Sequence, residues 1–103
     1  MYIKFMKKPN KKILDYKKEL VEVLSKIQGD KTFMVEFLLD LLTPAEFEDL
    51  ALRWQIVKKL NEGETHREIA GGLGLGISTV TRGSRELRNK NGGFHLMLKK
   101  LGK

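Results

Sequence analysis

Apolar residues recur at Ile13, Tyr16, Leu20, Leu24 and Ile27, in steps of three and four that lay one stripe along a helix, and Gly29 supplies a stop. A second apolar face follows with Phe33, Phe37, Leu38, Leu41 and Leu42. It ends at Thr43-Pro44, because proline disfavours helical geometry in the residue before it. The same run is also a start signal. Thr43 can accept from a free amide, Pro44 needs no donor at the first helical position, and Glu46 can reach back to close a capping box. A third helix therefore opens there, with Phe47, Leu50, Trp54, Val57 and Leu60 as its apolar side, and stops near Gly63. The spacing places Trp54 in the core.

Thr65-His66-Arg67-Glu68 repeats the capping pattern and opens a short fourth helix through Ile69 and Ala70. Gly71, Gly72, Gly74 and Gly76 come next, a density that cannot sustain a long helix, since each glycine costs roughly 1 kcal/mol relative to alanine. A fifth helix is expected over about 77–88, a loop over 89–93, and a closing helix carrying Phe94, Met97, Leu98 and Leu101. The pattern contains no strand, so the fold class is all-α. The stretch 65–88 has the layout of a helix-turn-helix: Ile69 and Val80 are set to pack the two helices together, Ala70 is small enough for a close crossing, and Gly74 falls where the turn needs a left-handed residue. Such a unit lays its second helix in the major groove of DNA. That helix begins with the short hydroxyl side chains Ser78, Thr79 and Thr81 and continues with Arg82, Arg85 and Arg88, groups suited to base edges and to phosphates.

Charge sharpens this picture. The 103 residues carry a net +7, unevenly: residues 1–18 sum to +6, 19–64 to −5 and 65–103 to +6. Positive potential thus sits on an amino-terminal tail and on the helix-turn-helix half, as a polyanionic partner requires. The first dozen residues, MYIKFMKKPNKK, read as a flexible basic arm, and 13–103 as one helical domain for DNA binding and dimerisation. A single copy of this length buries a modest share of its surface, so a core completed by a second copy is expected. With no cysteine and only His66 and His95 as imidazoles, there is no thiolate or histidine cluster to hold a metal. No apolar run is long enough for a membrane span or a secretory signal, so a cytoplasmic setting is expected. No nucleophile stands beside a base, so no catalytic residues are assigned and the chain is not read as an enzyme.

From these residues the chain resembles the tryptophan repressors. The likeness runs over residues 37–88, and its most specific element is Thr81-Arg82-Gly83-Ser84, joined by the Leu41-Leu42-Thr43-Pro44 start with Glu46 and by Arg53. Tryptophan repressors are themselves among the proteins from which helix-turn-helix docking and water-mediated base contact are known, so both features come with the resemblance. The resemblance implies a six-helix fold, an intertwined homodimer and a double-stranded operator as partner. L-Tryptophan would act as corepressor, with no other cofactor. Arg53 would bind the ligand carboxylate, Arg82 would lie along the indole face and near phosphate, and Gly83 would leave space for the ring. Leu42 and Thr43 of the other subunit would close the pocket. On the DNA side, Arg67 would reach a guanine, Ile77, Ser78, Thr79 and Thr81 would follow the groove, and His66 and Arg85 would contact phosphate.

The sequence departs from that family's pattern in four places. Asp40 stands where a leucine usually lines the ligand's amino end, and Glu86 where a serine often contacts the amine. These acids hold an ammonium more firmly, mark a different ligand, or are plain exposed residues. The chain is one residue shorter just before Thr65, and Ala70 replaces a lysine. Arg53 has a plainer role open to it, an ion pair with Asp49. The alternative function is a regulator of the same fold that is ligand-independent or senses another amino acid or an indole derivative. A dimeric adaptor or an RNA binder using the basic arm is a third reading.

Overall fold

The structure is a computed structural model that describes residues 11–103. Most of the expected basic arm, residues 1–10, lies outside the described residues. Among the described residues there are six helices and no strand: α1 (Lys11–Ser25), α2 (Lys31–Leu41), α3 (Pro44–Asn61), α4 (His66–Leu73), α5 (Ile77–Glu86) and α6 (Gly93–Lys100). Helix α1 takes in Lys11 and Lys12, two residues earlier than the apolar periodicity begins. The chain divides into two compact units, one ending at Leu41 and the other spanning Leu42–Lys103.

In the first unit, α1 stops where Gln28 and Gly29 both turn left-handed, at φ 48° and 82°. Asp30 then caps α2, its Oδ1 accepting from the Phe33 amide at 3.0 Å. Helix α2 has no buried residue, and Ile27 is the one buried apolar side chain of this unit's described part. Leu14, Val21 and Leu39 remain 57%, 65% and 56% exposed, a degree of apolar exposure that a finished core does not show.

The second unit is built on two matching caps. At Thr43 and again at Thr65 the hydroxyl accepts from the amide three residues on at 3.1 Å, while the carboxylate of Glu46 or Glu68 accepts from the cap's own amide at 2.8 Å. Both boxes stand where the sequence placed them. Helix α4 runs three residues past Ala70, through Gly71 and Gly72 to Leu73. Its capping box, its buried face and its closure together outweigh the glycine cost. The closure is at Gly74 (φ 68°), which lets the Leu75 amide reach the Ala70 carbonyl at 2.9 Å. The core joins α3, α4 and α5 through Ile56, Ile69, Ala70 and Val80, with Leu60, Leu73 and Leu75 packed against them. Ile69 and Val80 are fully buried, each contributing about 1.5–3 kcal/mol relative to an exposed side chain.

Two packing details differ from the sequence reading. Ile56, outside the expected apolar stripe of α3, is a core residue at 2% exposure, whereas Trp54 is only half-buried and lines an open groove with Phe94 and Met97. His95 is half-buried, and its Nε2–H donates to the Leu87 carbonyl at 2.7 Å, tying α6 to the end of α5.

Candidate nucleic-acid interface and ligand pocket

Helices α4 and α5, joined by residues 74–76, form the helix-turn-helix unit. Val80 and Ile69 are buried between them, which fixes the rotation of α5 and so decides which of its residues face water. Ile77, Ser78, Thr79, Arg82 and Arg85 are exposed along it, and Arg67 is exposed on α4. His66 and Thr81 are half-buried. The Thr81 hydroxyl donates to the Ile77 carbonyl at 3.0 Å, so toward an outside partner it offers acceptor lone pairs. No side chain caps the start of α5, whose first amides are open to an anion. Glu68 spends its charge within the cap: hydrogen bonds from the Thr65 backbone and then its side chain hold its carboxyl below the ordinary glutamate range.

Behind α5 lies a pocket of about 440 Å³, within the span of roughly 300–1,000 Å³ usual for small-molecule sites. Helix α3 supplies Asp49, Leu52, Arg53, Ile56 and Val57 as one wall. Thr79, Arg82, Gly83 and Glu86 of α5 form the facing wall, and Leu75 and Phe94 close the ends. Arg53, Arg82, Gly83 and Glu86, all expected at a ligand site, are thus brought together. Thr79, expected only on the groove side, shares the wall. Leu42 and Thr43 do not line the pocket within one chain; Leu42 is half-buried and the Thr43 hydroxyl serves the α3 cap. Asp40 is exposed on α2, in the first unit.

Gly83 has a packing reason of its own. A Cβ there would stand 2.6 Å from Ile56 Cγ2, so the missing side chain is what lets α5 approach α3 at this depth. The sequence reading missed Ile56, Val57, Leu75 and Phe94 as pocket residues. Positions 49, 52, 53, 56 and 57 recur at three-and-four spacing around Arg53, as do 79, 82, 83 and 86 around Arg82, so the signal was present in the periodicity. The plainer alternative for Arg53, an ion pair with Asp49, does not form within one chain. Among the described residues the ion pair within 4.0 Å is Lys59 with Glu64, at 3.5 Å, across the α3–α4 turn.

Among the described residues no three His, Cys, Asp or Glu side chains gather to hold a metal, and no helix is long and apolar enough to cross a membrane. Residues 16–102 match the family described as Trp repressor protein. A Trp operon repressor homolog of Vibrio campbellii is 48% identical over 52 residues, 50% of this chain and 52% of that protein; its counterpart in Vibrio vulnificus strain YJ016 is 50% identical over 52 residues, 50% of this chain and 51% of that one. The matched stretch therefore spans about half the length of these relatives. A Trp operon repressor homolog of Chlamydia trachomatis serovar L2 is 39% identical over 77 residues, covering 74% of this chain and 81% of its own length. With 16–102 taken in by the family's pattern and all six helices in place, the chain belongs to the Trp repressor protein family.

Proposed function

We propose that this protein is a sequence-specific DNA-binding transcriptional repressor, not an enzyme, that acts as a homodimer on a double-stranded operator and is gated by L-tryptophan. The single observation that carries the reading is that α5 has two working faces. Its outward side presents Ser78 and Arg85, its other side is a wall of the 440 Å³ pocket, and Thr79 is both exposed and part of that wall. Arg82 serves both faces. A ligand seated against α3 therefore sets how far α5 leans, and the lean decides whether two reading helices meet successive major grooves about 34 Å apart. Ligand affinity becomes DNA affinity by linkage.

In this account Arg53 takes the ligand carboxylate, Arg82 stacks on the ring and Glu86 faces the amine. Ile77, Ser78, Thr79 and Thr81 lie along the groove, Arg67 reaches a base edge, and His66, Arg82 and Arg85 meet phosphates. The apolar surface left open on α1 and α2 supports a second copy as its cover, with Leu42, Thr43 and Asp40 directed to the partner's pocket.

In vitro selection from random duplexes, with and without L-tryptophan, followed by anisotropy titration of the selected duplex, tests the reading. Palindromic half-sites about one helical turn apart, bound at least tenfold more tightly with tryptophan present, are expected. Equal binding with and without tryptophan would leave the ligand-independent regulator as the better account. No enrichment over random duplex would end the DNA reading.

A further inference from the structure

A second hollow, of about 400 Å³, lies between the carboxyl end of α3, the loop after α5 and helix α6, all within the second unit. It shares no residue with the pocket behind α5. Leu98, 2% exposed, forms its floor, and His95 stands in its wall, held by the bond to the Leu87 carbonyl that fixes α6 against the end of α5. Its rim is of one sign. Lys90 comes from the loop, Lys99 from α6 and Lys103 from just beyond it, and no acid lines the hollow. The stretch around it has the same character, since residues 87–103 contain Arg88, Lys90, Lys99, Lys100 and Lys103 and neither Asp nor Glu.

None of the three rim lysines makes an ion pair within 4.0 Å, although Lys59 finds Glu64 in the same unit. The side-chain amides of Asn61 and Asn91, which also line the hollow, make no hydrogen bond. Lys99 has a plainer role open to it, because a cation in the last turn of α6 offsets the partial negative charge of a helix end. That role does not reach Lys90, Asn61 or Asn91, which come from other elements. Like charges that converge on a concave site concentrate counter-ions there, and ammonium and amide groups offer them a set of free donors. We infer that this hollow is a second ligand site, separate from the tryptophan pocket, and that it seats a multiply charged phosphate oxyanion. The inference goes beyond the tryptophan-gated reading and stands without it. Two sources carry that chemistry: a free condensed phosphate, and the backbone of a duplex already engaged by α5. The groove-reading residues begin α5, whose ten residues run roughly 15 Å, so a duplex would reach the hollow only with phosphates flanking the operator.

Inorganic pyrophosphate titrated at low salt into the isotope-labelled full chain, followed by amide NMR, is the test. Saturable shifts are expected at Asn61, Asn91 and Lys99. Lys90→Gln/Lys99→Gln should weaken the binding about tenfold, the worth of two partly screened charge contacts. Lys31→Gln/Lys100→Gln removes the same two charges from exposed positions outside the hollow and should change the affinity less than about twofold. The selected duplex then separates the sources. A slope of log affinity against log salt that falls by about two in Lys90→Gln/Lys99→Gln, and not in the control pair, assigns the hollow to duplex phosphate. An unchanged slope assigns it to the free anion, and either result upholds the site. Shifts that do not saturate, equal weakening by both double variants, or saturable shifts confined to the open first amides of α5 would overturn it.

Discussion

Gly83 gives the sharpest energetic test of how α5 is seated. An alanine Cβ at this position would sit 2.6 Å from Ile56 Cγ2 and 3.7 Å from Ile56 Cβ, so one of the two helices has to move by about 1 Å to regain ordinary contact. Overpacking of this kind costs about 1–3 kcal/mol, while replacing a helical glycine by alanine returns about 1 kcal/mol. Gly83→Ala is therefore expected to destabilise by up to about 2 kcal/mol. Gly71 and Gly72 provide the contrast within the same unit. They also lie in a helix, but nothing stands within 4 Å of a Cβ built on either, so Gly72→Ala is expected to stabilise by about 0.5–1 kcal/mol. Urea unfolding read by fluorescence of Trp54, the sole tryptophan, measures both, at one protein concentration because association shifts apparent stability. Adding Ile56→Leu, which deletes Cγ2 at constant volume, should recover most of the Gly83→Ala loss. If Gly83→Ala proves as stabilising as Gly72→Ala, the close seating of α5 on α3 is wrong.

Three further outcomes follow from the same geometry. Because the native Glu68 carboxyl is held below its ordinary range, its contribution is complete above the unfolded value of about 4.3 and is lost as pH falls from there through the lowered native value. Glu68→Gln, which still accepts from the Thr65 amide but cannot ionise, should flatten that acid limb in denaturation curves between about pH 2 and 5, and an unchanged limb would remove Glu68 from the account. Arg53→Ala should weaken tryptophan binding at least tenfold in calorimetry while leaving ligand-free duplex affinity unaltered. Arg85→Ala, outside the pocket, should do the reverse, reducing the slope of log affinity against log salt by about one and leaving tryptophan affinity unchanged.

The sequence made the local structure legible wherever a short-range rule acts alone. Thr43 and Thr65 with their glutamates fix two helix starts to the residue, and Gly74 fixes the turn, because capping and φ preference need only near neighbours. The extension of α4 through Gly71 and Gly72 was not legible from propensity, since the buried face against α3 and α5 outweighs it. Ile56 and Trp54 exchanged their expected roles for a related reason. Helix α3 is apolar on more than one side, and which side meets α5 depends on Gly83, far along the chain. For the site, Arg53, Arg82, Gly83 and Glu86 came from the resemblance and stand around one pocket. The apolar floor and the unpaired Asp49 were visible only once α3 and α5 faced each other.

The central claim is that one helix transmits between ligand and DNA, and linkage makes it measurable from either side. L-Tryptophan titrated into the free protein, and into the protein saturated with its selected duplex, should show an affinity gain equal to the factor by which tryptophan tightens the duplex. A tryptophan affinity that does not respond to the duplex would contradict the account, because a ligand that shifts α5 for DNA must itself be bound more tightly when DNA holds α5 in place.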